Sequence, residues 1–278
     1  MIIMTSLAAH GGQGAGPVIV EHGPRGTNKV ALTFDACPTG RPEEYDERVI
    51  EVLVKEKVPA TLFMSGRWVE KNSGKAKFLA DQPQFEIANH AFWHPHMLEK
   101  DDERIARELK RTQAVIKKFT GKQALYFRPP FGEVDERLAK LAAEAGLVTV
   151  QYDIASGDPD PGLSAKRIAR SVVNGAKGGS IVVFHMNRNG ARTAEALPEI
   201  IAGLREKGFE LVTVGEMLKK TDTETRGQGD TGTKGTGTGS TAATAKTRET
   251  ATSQVTANGD ALSSETEHTG LTGSGLGQ

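Results

Sequence analysis

Between Lys29 and Lys220 short apolar runs alternate with longer amphipathic stretches. The runs at 30–34, 60–64, 85–88, 125–127, 147–151, 181–184 and 209–212 are brief, mostly unbroken and often β-branched. Strands buried on both faces read this way. Between them the apolar positions recur at helical spacing. Residues 43–57 place Val49, Ile50, Leu53 and Val54 on one face, and residues 101–119 do the same with Ile105, Leu109, Ala114 and Ile116. Residues 134–145, 164–174 and 193–207 complete the set, with Ser164 as an N-cap and Pro198 in the first two turns of the last. Gly121, Gly146, Gly175 and Gly208 fall where helices end in a left-handed residue. Seven strands alternating with helices predict an α/β protein with parallel strands.

Composition narrows this picture. The 278 residues carry 35 Lys/Arg against 35 Asp/Glu, so no basic footprint for nucleic acid is present. A single cysteine excludes an intrachain disulfide and a zinc finger. No apolar run approaches the roughly 20 residues of a membrane span. Residues 221–278 hold 16 Thr and 11 Gly and no aromatic residue, a composition that cannot bury enough surface to offset ordering entropy. They are expected to form a disordered tail. Residues 1–27 are expected to be a flexible N-terminal segment. Its apolar start, MIIMTSLAA, has no preceding Lys or Arg and is short for an export signal. One domain over 28–220 remains, long enough for a proper core.

In parallel α/β folds ligands sit at the carboxyl ends of the strands. Asp35 follows the first run, His90 and His94 the third, Arg128 the fourth, Asp153 and Asp158 the fifth, and His185 the sixth. Together they suggest hydrolysis, with or without a metal. Alone, each has a plainer reading. His90 and His94 are four apart, so a helical turn would bring both rings to one cation, or they simply hydrogen-bond. Asp35 can form a turn or pair with Arg128. His185 can be a core histidine, and Cys37 a small apolar filler.

The ordered set resembles the polysaccharide deacetylase family, also called carbohydrate esterase family 4 or the NodB-homology domain. The likeness runs over about 28–219 through Thr33-Phe34-Asp35-Ala36, His90-Ala91-Phe92-Trp93-His94, Arg128-Pro129-Pro130-Phe131-Gly132, Ser156-Gly157-Asp158 and Val183-Phe184-His185. It implies a distorted (β/α)7-type barrel, one divalent metal, usually zinc, and removal of acetyl from N-acetylated sugars. Asp35 would then be the general base, oriented by Arg128, and His185 the general acid, tuned by Asp158. His90 and His94 would bind the metal, and Pro130, Phe131 and Gly132 the substrate. The implied partner is an N-acetylated glycan. No protein partner is implied, and the resemblance points toward the cell envelope or secretion.

The chain departs from the family pattern at Ala36, which replaces the metal-binding carboxylate, at Ala91, which lacks a hydroxyl, and at Pro159, where many members have Trp. A methyl group cannot coordinate. Three arrangements stay open: Asp35 turned inward as third ligand, Cys37 supplying a thiolate, or weak metal binding with lost activity. The first is favoured because Asp35, Arg128, Asp158 and His185 are all present. Besides an N-deacetylase, the same scaffold admits a non-catalytic glycan-binding module or a hydrolase of another non-peptide C–N bond.

Overall fold

The computed structural model describes residues 18–38, 45–187 and 190–219. The expected tail at 221–278 and most of the expected flexible segment at 1–27 lie outside them. The elements run β1 (Ile19–Val20), β2 (Lys29–Ala36), α1 (Glu47–Lys55), β3 (Ala60–Met64), α2 (Gly66–Lys71), α3 (Ser73–Asp81), β4 (Phe85–Asn89) and α4 (Asp102–Thr120). They continue with β5 (Tyr126–Phe127), α5 (Glu136–Glu144), β6 (Val148–Val150), β7 (Ile154–Ala155), α6 (Ala165–Gly175), β8 (Ser180–His185), α7 (Thr193–Glu206), β9 (Glu210–Leu211) and α8 (Val214–Leu218).

Every strand pair is parallel, in the order β1-β6-β5-β4-β3-β2-β8-β7, with β9 on the first residues of β2. The sheet curls into a distorted barrel. Among the described residues β1 and β7 are its unpaired edges, so the barrel is not closed by hydrogen bonds. Val30, Leu32, Phe34 and Ala36 of β2 face the helices, in one core cluster with Leu53, Trp68, Leu109 and Ile200. The alternate position Ala31 faces inward, with Phe63, Ala88, Val150 and Ile181. This two-residue alternation decides which side chains reach the barrel mouth.

The amino end of the barrel is plugged by α8. Val212, Val214 and Met217 enter the inner cluster. The Val214 N–H donates to Thr61 Oγ1 at 2.8 Å and the Gly215 N–H to Glu86 Oε2 at 3.0 Å. Burial pushes the Glu86 carboxyl above its usual range. The carboxyl end is left as the open face.

Caps explain most helix boundaries. Asp46, Asp101, Asp135 and Ser164 each accept a backbone N–H at the start of a helix. Gly121, Gly146 and Gly208 take the left-handed conformation at helix ends, as expected. Gly175 does not. It closes α6 within the helix, and Ala176 leaves in extended conformation. Pro198 sits inside α7, whose packing through Leu197, Ile200, Ile201 and Leu204 outweighs one missing hydrogen bond.

Candidate active site

Strand alternation carries the inner face upward from its apolar floor. On β2 the inward series Ala31, Thr33, Asp35 continues past the strand to Cys37, which lines the cleft. Val183 and His185 follow Ile181 on β8, and His90 follows Ala88 on β4. The cleft has a volume of about 320 Å³. It brings together Asp35, Cys37, His90, His94, Arg128, Phe131, Gly132, Asp158 and His185. Pro130, also expected at the site, is buried in the turn behind it and does not line the cleft.

Asp35 Oδ1 accepts from Arg128 Nη1 at 2.8 Å, and both residues are buried. Arg128 also donates to the Gln151 carbonyl at 3.2 Å and lies 4.1 Å over the Phe63 ring, so its plane is fixed. Burial would raise the Asp35 carboxyl. The Arg128 guanidinium first, then the His90 and His185 imidazoles, hold it below the usual carboxylate range.

On the other side Asp158 is fully buried and saturated with donors. Its carboxylate accepts the His185 backbone N–H at 2.7 Å, Thr193 Oγ1 at 2.6 Å, Ser156 Oγ at 2.9 Å and the His185 ring at 3.1 Å. Since a carboxylate only accepts, His185 Nδ1 carries a proton and Nε2 is left for the cleft. Burial alone would lower the His185 pKa. The bond to Asp158, with help from Cys37 and Asp35, reverses this and raises it to about 10.

His90 and His94 meet with ring centroids 4.9 Å apart. The expected helical turn is absent. Residues 90–94 form a loop in which Ala91 and His94 have φ of 57° and 58°. Both are strained for side chains with a Cβ, so the rest of the fold must hold them. Buried Glu108 of α4 does much of this. Its Oε2 accepts from the Phe92 N–H at 2.9 Å and the Trp93 N–H at 2.8 Å, while Arg104 pairs with Oε1 at 3.0 Å. Nothing in the charge pattern of α4 distinguished Glu108 from its solvated neighbours. Replacing Glu108 by Ala is expected to destabilise the fold by on the order of 3 kcal/mol, by leaving the buried Phe92 N–H and the part-buried Trp93 N–H unpaired. It is also expected to weaken metal binding about ten- to a hundredfold. Thermal denaturation and a zinc titration read the two effects, and Glu108→Gln, which keeps one acceptor oxygen, is expected to lose less.

Cys37, His90 and His94 place one ligand atom each within 4.8 Å of one another. His90 Nδ1 donates to the Arg128 carbonyl at 2.8 Å, so its Nε2 presents a lone pair, 3.6 Å from Cys37 Sγ. Asp35 Oδ2 stands 3.8 Å from the same nitrogen. Burial pushes the Cys37 thiol up, and contacts with His185, His90 and His94 bring it well below its ordinary pKa. Burial would lower His90, but Asp35 and then Cys37 raise it. The negative field of Asp35 and Cys37 at His90 would equally favour a cation there. Two imidazoles and a sulfur around one point fit a divalent metal of the zinc class.

Asp153 lies away from this set. It binds Arg25 at 2.9 Å, Ser180 Oγ at 2.9 Å and the Ile181 N–H at 2.7 Å, at the start of β8. Phe131 is 55% exposed at the rim, edge-on to His94 and stacked 4.1 Å from His96, which bonds Glu133 at 3.0 Å. Thr193, read from sequence only as a helix start, holds Asp158.

Residues 22–150 match the family profile described as polysaccharide deacetylase. The uncharacterized protein YlxY of Bacillus subtilis is 32% identical over 181 residues, covering 64% of this chain and 54% of the relative. The chain thus spans about half the length of that relative. A peptidoglycan-N-acetylglucosamine deacetylase of Bacillus cereus is 32% identical over 200 residues, covering 70% of this chain and 91% of the relative. Among solved structures, BA3943 of Bacillus anthracis, described as a CE4 family pseudoenzyme, superposes with a TM-score of 0.67 at 28% identity. That match covers 74% of this chain and 70% of that one.

Proposed function

The chain belongs to the polysaccharide deacetylase family, and from this we propose that it removes N-acetyl groups from an amino-sugar polymer or oligomer by metal-assisted amide hydrolysis. The carrying observation is the pair of buried ion pairs, Asp35 with Arg128 and His185 with Asp158, lining one cleft with His90 and His94. A divalent cation held by the two histidines, zinc by its donor set, supplies Lewis acidity toward the acetamide oxygen and toward water.

The remaining work falls to side chains of this chain. Asp35 is ionised and oriented by Arg128, so it serves as the base that takes the proton from the attacking water. His185 enters the cycle protonated and donates from Nε2 to the departing amine, which is a poor leaving group without that proton. Asp158 fixes the His185 tautomer and favours its charged form. Phe131 and Gly132 line the rim, with Pro130 buried in the turn behind them, and the exposed Phe131 face suits the apolar side of a pyranose ring. The peptidoglycan named for the Bacillus cereus relative supports an envelope glycan as substrate and a cell-envelope role. No helix among the described residues is long and apolar enough to cross a membrane.

The test is acetate release from N-acetylglucosamine oligomers and from peptidoglycan fragments, by protein stripped with a chelator and then reloaded with zinc. Release is expected only after reloading. No release from any N-acetylated glycan would overturn the reading.

A second reading, a non-catalytic glycan-binding module, is favoured by one observation: Ala36 is packed into the helix-side core, where it offers a cation nothing. The likeness to a named pseudoenzyme agrees with it. Glycan binding without turnover, unchanged in Asp35→Asn, is the result that would select it.

A further inference from the structure

Resting on the deacetylase reading, we propose that the third protein ligand of the metal is the thiolate of Cys37, completing a Cys-His-His site in place of a carboxylate at position 36. Three observations on separate elements converge on it.

The first is direction. Ala36 faces the helical layer and is wholly buried there, while Cys37, one residue on, faces the cleft. Its backbone is held in that position by Asn187 Nδ2, which donates to the Cys37 carbonyl at 2.7 Å.

The second is spacing. A tetrahedral zinc with bonds of about 2.3 Å to sulfur and about 2.0–2.1 Å to nitrogen needs an S···N separation of about 3.6 Å. Cys37 Sγ and His90 Nε2 are 3.6 Å apart, and a His94 ring nitrogen lies within 4.8 Å of both. The carboxylate alternative fits less well. Asp35 Oδ2 is 3.8 Å from His90 Nε2, but Asp35 is not among the donors that lie within 4.8 Å of one another, which are Cys37, His90 and His94.

The third is division of labour. Asp35 Oδ1 is engaged by Arg128. With sulfur as ligand, the carboxylate keeps the base role alone and need not serve two functions. The Nδ1 bond from His90 to the Arg128 carbonyl orients the ligand ring from behind, as metal-bound imidazoles require.

Such a site has a selectivity that an all-oxygen-and-nitrogen site lacks. One thiolate and two imidazoles favour zinc, cobalt and cadmium over magnesium, calcium and manganese, with the fourth position open to the cleft.

The experiment is cobalt titration of the metal-stripped full chain, followed by absorbance. One equivalent is expected to bind with a near-ultraviolet thiolate-to-cobalt charge-transfer band. Cys37→Ser and Cys37→Ala are expected to lose that band and to bind cobalt at least about tenfold more weakly. Asp35→Asn is expected to keep it. Zinc is expected to protect Cys37 of the unaltered protein from alkylation, a readout that needs no variant to fold. No cobalt binding, binding without the band, or loss of the band in Asp35→Asn but not in Cys37→Ser would each overturn the assignment. The band with no acetate release would retain the ligand and remove the deacetylase reading. Acetate release with metal but no band would do the reverse.

Discussion

Asp35→Asn is expected to lower kcat for acetate release by about a hundred- to ten-thousandfold, with KM little changed. The amide has nearly the shape of the carboxylate, and its oxygen can still accept from Arg128. What it cannot do is take a proton. The substitution also leaves the Arg128 guanidinium, 1% exposed, without its counter-charge. Removing one partner of a buried pair costs about 3–5 kcal/mol, and the Phe63 ring 4.1 Å beneath the guanidinium offsets only part of that. A lower melting temperature is therefore expected beside the lost rate. The rate must be compared at a temperature where circular dichroism shows the variant folded. A folded variant within threefold of the parent would remove Asp35 from the base role.

The second large effect concerns Asp158 and pH. Below about pH 10 His185 is held protonated, despite its burial, by the Asp158 carboxylate at 3.1 Å. Asp158→Asn keeps a hydrogen-bonding side chain there and removes the charge. The His185 pKa is then expected to fall toward the ordinary value of about 6.5 or below. At pH 8 the proton-donating fraction drops from nearly all to about 3%, so the rate is expected to fall about thirtyfold, while near pH 6 the two proteins converge. The alkaline limb of the rate profile reads this directly. Stability follows with a definite sign. A histidine whose pKa is raised on folding stabilises the fold fully below its unfolded value and loses that contribution as pH rises through its folded value. The parent is expected to lose stability from about pH 7 toward 10 on this account, and Asp158→Asn is expected to show a shallower decline. An alkaline limb unmoved by the substitution would dissociate Asp158 from His185.

The seven strands read from hydrophobic patterning all appear in the sheet; β2, β3, β4 and β8 are runs buried almost throughout, while β5, β6 and β9 are shorter and each leaves a residue partly or fully exposed. The two that patterning did not show, β1 and β7, are two residues each and sit at the sheet edges, where flanking contacts rather than periodicity define them. Helices α2, α3 and α8 escaped for a related reason. α2 and α8 have six and five residues, too few for a 3.6-residue period to stand out, and α3, as long as α1 and α5, buries only Ala76, Leu79 and Ala80, too weak an apolar stripe to read. The polar residues of the cleft were legible from their positions after strands. The setting of His94 was not, since it depends on left-handed backbone at Ala91 and on Glu108 sixteen or so residues away. Cys37 was visible as a thiol, but its direction follows from the parity of β2, and a sequence cannot say on which side of the strand end the alternation stops.

Asp35 and His185 are directly opposite one another on adjacent strands, as Phe34 and Phe184 are one step below. Base and acid are thus the two ends of a single rung, and the gap between them is a lattice constant of the sheet, about 4.8 Å from strand to strand. The excursions after β4, β5 and β7 carry the two imidazoles, Arg128 and Asp158 at their buried ends, while the exposed Phe131 stands farther out on the second of them. A lineage could exchange one sugar for another by redrawing that outer rim, so long as the buried stretch of each excursion stayed as it is.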